Sequence, residues 1–227
     1  VKVAVIRFPG SNCDQDAFWA MKEGLGLPVD YVWHDLESLA GFDAVYIPGG
    51  FSYGDYLRCG AMAARARIVP EIKRLAAQGN PVIGACNGFQ ILCEMGLLEG
   101  ALLKNLSQKF VCDRPYLRRE NSTSMWTEGV PDVIQIPIAH GEGRYIASEE
   151  TLKRIEGEGR VAFRYCTASG EVTSDANPNG SVNNIAGIVN PAGNVLGMMP
   201  HPERAYHARF GGDDGLAILR ALTKVRI

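Results

Sequence analysis

Between Val82 and Gln90 an apolar run ends on a cysteine, and a helical pattern begins at once. Val82-Ile83-Gly84-Ala85 reads as a strand buried on both faces. The spacing from about Gly88 to Met95 predicts a helix. Glycines stand two residues before and two after Cys86, at Gly84 and Gly88. This is the shape of a G-x-S-x-G nucleophile elbow, with sulfur in place of the hydroxyl. Such a turn lifts its side chain out at the carboxyl end of a sheet. The positive end of the following helix favours thiolate over thiol. The first helical amide, that of Asn87, can point at a developing oxyanion. Read alone, the same glycines only permit close packing of strand on helix around a core cysteine.

A strand that feeds straight into a helix belongs to a βα unit, and the first half of the chain repeats that rhythm. Val3 to Arg7 is a β-branched run that ends in the turn cluster Pro9-Gly10-Ser11-Asn12. Asp14 is placed to cap a helix over Gln15 to Glu23. Pro28 to His34 and Ala44 to Pro48 read as strands, and Ala61 to Gln78 as helical spacing broken near Pro70. The second half is richer in strand signals: Lys109 to Cys112, Met125 to Thr127, Val133 to Ala139, Val161 to Tyr165, Ile185 to Asn190 and Val195 to Met199. Helices are expected around Thr151 and over Gly215 to Lys224, and Ser169 to Asn184 reads as a long surface loop. The expected fold is α/β, a mainly parallel sheet flanked by helices with extra strands in the second half. No linker or repeat divides it, so residues 1–227 are read as a single domain.

Composition narrows the function classes. The chain is 46% apolar and 21% charged, with a net charge of −2. No overall basic field favours nucleic acid, and no apolar run approaches the roughly 18 residues of a membrane span. The start, Val1 to Arg7, is too short for a signal peptide. With no export signal, the six cysteines read as thiols in a reducing cytoplasm, and the four histidines are too scattered to suggest a metal site. One cysteine is expected to be reactive and the other five to be small hydrophobes.

Two further segments supply partners for Cys86. Ile47-Pro48-Gly49-Gly50-Phe51 ends a neighbouring strand, and Gly49 or Gly50 offers a second oxyanion donor at the same sheet edge. Met199-Pro200-His201-Pro202-Glu203-Arg204 follows the strand ending at Met199. Each residue before a proline is pushed towards extended backbone, where residues two apart point the same way. Glu203 can therefore hold one ring nitrogen of His201 and leave the other for a thiol.

Taken together, G-A-C-N-G-F-Q at 84–90 and H-P-E at 201–203 resemble the triad-type class I glutamine amidotransferases, whose glutaminase domain is flavodoxin-like. The similarity is greatest to the glutaminase subunits of phosphoribosylformylglycinamidine synthases. It runs through P-G-S-N-C-D at 9–14, P-G-G-F-S-Y-G-D-Y-L-R-C-G-A at 48–61, A-H-G-E-G at 139–143, N-G-S at 179–181, N-I-A-G-I at 184–188 and N-V-L-G-M-M-P-H-P-E-R at 194–204. The resemblance implies Cys86 as nucleophile with His201 and Glu203. It implies Gly49, Gly50 and Asn87 at the oxyanion, and Gln90, His140 and Gly141 against L-glutamine. It also implies ammonia delivery to a large synthetase subunit for the amidation of formylglycinamide ribonucleotide, and a further partner in the form of a third small subunit. ATP and magnesium would then belong to the synthetase, since this chain has neither a G-x-x-x-x-G-K-[ST] loop nor a G-x-G-x-x-G fingerprint.

Three rivals stay open at this level. A cysteine peptidase-like hydrolase shares the layout, and its substrate would be a peptide. A non-catalytic scaffold would have lost a triad member, and none is missing. Another amidotransferase pathway would share the elbow but fits the long strings less well. Arg114, Arg118 and Arg119 read as a solvated basic group or a docking face. Arg204, Arg209 and Gly211-Gly212 are better placed for docking, and Phe51, Tyr53 and Tyr56 follow Gly50 closely.

Overall fold

A computed structural model of the chain describes residues 1–120 and 124–224. Strand β1 (Val3–Arg7) leads to helix α1 (Asp14–Trp19), which widens into a π turn over Ala20–Gly24. Strands β2 (Val29–Trp33) and β3 (Ala44–Ile47) follow. Helix α2 (Val69–Ala77), strand β4 (Val82–Ala85) and helix α3 (Asn87–Glu94) close the first half. The second half holds β5 (Ala101–Leu103), β6 (Val111–Asp113), β7 (Tyr116–Arg119), β8 (Val133–Gln135), β9 (Ile138–His140) and β10 (Arg144–Ile146). Then come α4 (Glu149–Gly157), β11 (Val161–Cys166), β12 (Ile185–Val189), β13 (Val195–Met198) and α5 (Asp214–Leu219).

Nine strands form one sheet in the order β2-β1-β3-β4-β13-β12-β11-β7-β8. The first five are parallel to one another, and each later pairing is antiparallel. The parallel part has the 2-1-3-4-5 order of flavodoxin-like folds, with β13 in the fifth place. Strands β12, β11, β7 and β8 extend that sheet as an antiparallel wing, while β10 pairs with β5 and β9 with β6 in two separate two-stranded sheets. Helices cover both faces. On one face Ala17 and Met21 pack with Ile218 and Leu219 of α5 over Val5, Tyr46 and Ile83. On the other, Ile72, Leu75, Phe89 and Leu92 pack over Ala4, Ile6, Val45 and Val82. Central strands buried on both faces must be apolar there, which is why residues 3–6 of β1, and β3 and β4, stood out in the sequence.

Local chemistry moves several boundaries. Asp14 does not cap α1; it lies within the helix, and its carboxylate pairs with Arg7 Nε at 2.5 Å. Pro70 does not break a long helix. It sits in the first turn of α2, where its missing N–H costs nothing, and the preceding residues form only a short 3-10 turn at Ala63–Arg65. Met125 to Thr127 is a turn instead of a strand, because Ser124 Oγ accepts from Trp126 N–H at 3.0 Å. The run Val133 to Ala139 divides at Pro137 into β8 of the main sheet and β9, which pairs with β6. The last helix is α5 followed by a 3-10 turn over Arg220–Thr223. The segment 169–184 is a loop with a buried end: Asn179, Ser181 and Asn184 are all buried. Asn184 Nδ2 donates to Tyr165 O at 3.0 Å and to Thr173 O at 2.7 Å, so side-chain amides replace a strand ladder there.

Candidate active site

Register brings the motifs to one sheet edge. Val82 pairs with Val195 and Ala85 with Met198, so β4 and β13 end together. The next residues are Cys86 on one strand and Met199 to His201 on the other. Ile47 pairs with Gly84, which puts Gly49 and Gly50 beside the same edge. The loop after β1 joins them, as Asn12 and Cys13 N–H both donate to Gly49 O.

The elbow is strained. Cys86 has φ 52 and ψ −109, outside the regions open to L-residues, at a cost of about 1–3 kcal/mol. The bend survives because its neighbours leave no alternative. A β-carbon on Gly88 would lie 2.0 Å from Ile47 O, and one on Gly84 would lie 2.5 Å from the Gly88 carbonyl. The Cys86 amide is tied to Met198 O at 2.8 Å, and its sulfur faces Ala139 O at 3.7 Å.

His201 and Glu203 are both buried. The ring's Nδ1 lies 2.6 Å from Glu203 Oε1, while Glu203 Oε2 accepts from Tyr46 Oη–H at 2.6 Å. Backbone N–H of His201 donates to Pro137 O at 2.8 Å, but the chain does not stay extended as expected: Pro202–Arg204 form a 3-10 turn, and it is this turn that carries Glu203 against the His201 ring. Burial opposes a charge on His201. The Glu203 carboxylate and the Cys86 thiol outweigh it and hold the imidazole well above its ordinary value. Glu203 is buried too, yet His201 and the Tyr46 hydroxyl keep its carboxyl below the usual range. Among the described residues Nε2 of His201 has no partner in hydrogen-bond geometry, and the Cys86 and Cys13 thiols are its neighbours. The Cys13 sulfur lies within 4.8 Å of ligand atoms of both His201 and Glu203, although both Glu203 oxygens are already engaged.

A cavity of about 370 Å³ opens over this cluster, in the size range of small-molecule sites. Cys86, His201, Gly50, Gln90, His140 and Gly141 line it, as expected from the sequence. Gly49 lies behind the wall, where a β-carbon would meet His201 Cε1 at 2.8 Å. Asn87 is buried, and its amide is the first of α3, with no acceptor inside the helix. Its side chain accepts from Ser52 N–H at 3.1 Å and donates to Gln90 Oε1 at 2.8 Å. Gln90 Nε2 in turn donates to Glu142 O at 2.6 Å, so this amide pair clamps the 140–143 loop to α3.

The lining also includes Asn12, Cys13, Asp55, Cys59, Glu142 and Arg204. Cys13 and Cys59 therefore depart from the packing role expected of them. Burial pushes both thiols up, against the pull of His201 on Cys13 and with the help of Glu142 on Cys59. The available signal was topological, since loops after β1 and β3 flank the switch point of such a sheet. Arg204 turns inward: Nε bonds Asp16 at 2.9 Å and Nη2 meets Cys13 Sγ at 3.1 Å. The other basic group is already partnered, Arg118 by Glu120, Arg119 by Asp132 and Arg114 by Phe210 O.

Known proteins share this layout. The structure of PurLQS from Thermotoga maritima is 43% identical, covering 98% of this chain and 97% of its own, with a TM-score of 0.86. A GMP synthase component from Thermoplasma acidophilum has a TM-score of 0.64 at 16% identity, over 98% of this chain and 92% of its own. A glutamine amidotransferase from Thermotoga maritima has a TM-score of 0.59 at 18% identity, over 92% and 78% respectively. The last two show the fold alone. Residues 1–210 match the CobB/CobQ-like glutamine amidotransferase domain. With its elbow cysteine set against a carboxylate-held histidine, the chain is an enzyme acting on the glutamine amide and belongs to that amidotransferase family.

Proposed function

We propose that the chain is the glutaminase subunit of a phosphoribosylformylglycinamidine synthase, supplying ammonia for purine biosynthesis. The observation that carries the chemistry is Cys86, on its strained elbow, facing a histidine whose far nitrogen is held by Glu203. Cys86 thiolate attacks the carboxamide carbon of glutamine. The oxygen that gains charge is met by the amides of Gly50 and Asn87. The C–N bond breaks as the His201 imidazolium gives its proton to the leaving nitrogen, which departs as ammonia. A γ-glutamyl thioester remains. His201, now neutral, takes a proton from water, whose oxygen attacks the thioester and releases glutamate and the thiolate.

The 43% identity to the PurLQS structure supports the pathway. In this reading a large synthetase subunit holds ATP and magnesium and receives the ammonia, and a third small subunit completes the assembly. The synthetase covers the cavity mouth. Phe51 and Phe110 line the cavity yet are 50% and 57% exposed, and Tyr56 and Leu57 beside them are 75% and 92% exposed. Large apolar side chains around a polar mouth mark an interaction surface. The chain has no described helix long and apolar enough to cross a membrane, and the reading places it in the cytoplasm with its partners.

Glutamine hydrolysis is to be measured with and without the synthetase. Cys86→Ala is expected to abolish it, and addition of the synthetase to stimulate the native chain. Full turnover by Cys86→Ala sinks the mechanism; equal activity in both conditions sinks the coupling.

A further inference from the structure

His140 closes β9 and lines the cavity, yet it is nearly fully buried. Its Nε2 lies 3.0 Å from Asn179 Nδ2. The orientation of that amide is not free. Asn179 Oδ1 accepts from the backbone N–H of Ser181 at 3.0 Å and from the Ser181 hydroxyl at 2.7 Å. A backbone amide nitrogen can only donate, so the Asn179 oxygen must lie on that side. The Asn179 nitrogen therefore faces His140, and it donates as well to Gly143 O at 2.9 Å. An amide nitrogen cannot accept, so Nε2 of His140 is the acceptor and carries no proton. A turned ring would set a C–H against the Asn179 N–H.

The ring is neutral. Burial lowers its pKa to about 3, and the charge of His201 acts in the same direction. A neutral imidazole with a bare Nε2 must carry its proton on Nδ1. That Nδ1 is buried and has no hydrogen-bond partner among the described residues. A buried N–H without a partner is costly, so its survival in a cavity wall points to a ligand atom.

We propose that Asn179 is a positioning residue that fixes His140 in its Nδ1–H form, so that this N–H donates to an acceptor oxygen of bound glutamine. The inference rests on the glutaminase reading above, and it gives the buried end of the 169–184 loop a task. Gly143 makes the clamp possible, because a β-carbon there would lie 2.2 Å from Nε2. The charge of His201 acts on the ring, the Cys86 thiol faces the neighbouring Ala139 O, and on the Asn179 side stands the Tyr165 hydroxyl. The last lies 3.3 Å from Asn179 Nδ2.

The chain has four histidines, so long-range proton–nitrogen spectra of a 15N-histidine-labelled sample can resolve each ring. The expected result at neutral pH is a protonated Nδ1 and a bare Nε2 for His140. The opposite tautomer overturns the proposal, and this measurement needs neither glutamine nor turnover. Asn179→Asp reverses the demand, since a carboxylate accepts from Nε2–H and lifts the ring's titration towards neutrality. With the synthetase present, KM for glutamine is expected to rise about tenfold or more, with kcat changing less. A flipped tautomer with unchanged KM refutes the substrate contact. Should that variant fail to fold, His140→Asn and His140→Gln decide the matter. Asparagine places an amide N–H near the Nδ1 position and glutamine near Nε2, so only the first should hold KM near the native value. An equal loss in both overturns the proposal. Residual hydrolysis by Cys86→Ala would defeat the mechanism above and leave the tautomer result standing.

Discussion

Tyr46→Phe removes one hydroxyl from the centre of β3 and leaves the ring in place. That hydroxyl donates to Glu203 Oε2 at 2.6 Å, and both residues are fully buried. Without it, the Glu203 carboxylate loses its one other side-chain partner among the described residues and keeps the His201 Nδ1 contact and a backbone hydrogen bond. A hydrogen bond to a buried charge contributes about 1.5–3 kcal/mol, and no water can replace this one. We expect the variant to be about 2 kcal/mol less stable at neutral pH, with the deficit concentrated in the ionised form of Glu203.

The sign of its pH dependence follows from the two shifts. Glu203 is held below its ordinary value of 4.5, so its contribution is present above that value and disappears as pH falls through the lowered one. His201 is held above 6.5, so its contribution is complete below 6.5 and disappears as pH rises through the raised value. Loss of the hydroxyl makes ionised Glu203 costlier, and Glu203 stays ionised while His201 titrates. The stability difference between native and variant should therefore shrink as pH falls through the lowered Glu203 range and persist as pH rises through the raised His201 range. Denaturant titrations across pH measure this directly. If about 1.4 kcal/mol of that loss reaches the proton-transfer step, kcat/KM for glutamine falls tenfold. Equal stability of the two proteins at neutral pH, within about 0.5 kcal/mol, would refute the argument that the hydroxyl anchors the pair.

The elbow itself offers a sharper separation of stability from activity. Cys86→Gly removes a β-carbon held at φ 52, so the variant should gain about 1 kcal/mol in denaturant unfolding while losing all thioester formation. Gly88→Ala places a methyl 2.0 Å from the Ile47 carbonyl, and a loss of about 2–3 kcal/mol with disturbed glutamine turnover is expected in the same assays. A glutamine-analogue electrophile should label Cys86 alone by peptide mass mapping, although Cys13 and Cys59 share the cavity, because burial holds those two thiols protonated. Labelling of Cys13 at a matching rate would overturn that distinction.

The parts that read clearly were those with one physical cause. β3 and β4, and β1 up to its terminal Arg7, are buried on both faces and so are built from apolar side chains. Cys86 stood out because its glycines answer a backbone contact only glycine can make. His201 and Glu203 stood out because prolines fix the local direction of the chain. Strand β7 did not, since Arg118 and Arg119 look like surface until the ion pairs with Glu120 and Asp132 are seen. Strands β5 and β10 have three residues each, too few for alternation to show. The asparagines of 177–184 read as solvent-facing because amides usually are. Here they satisfy carbonyls left over where the sheet's antiparallel wing meets the cavity.

That contrast explains how the site is divided. The parallel half presents the reacting atoms, on strand ends whose register is set by burial and leaves little freedom. The separate β6–β9 pair presents another wall, through His140 and its support from Asn179 and Asn105, whose Nδ2 holds His140 O at 2.8 Å. Hydrogen-bonded asparagines can orient a ring to within one tautomer, which apolar packing cannot do, since it does not distinguish the two nitrogens. A substrate with an amide to be cleaved and an amino-acid end to be recognised makes both demands. The first needs a rigid nucleophile, and the second needs polar donors of fixed sense. The parallel strand ends of the main sheet and the small β6–β9 sheet bring the two kinds of wall to one cavity.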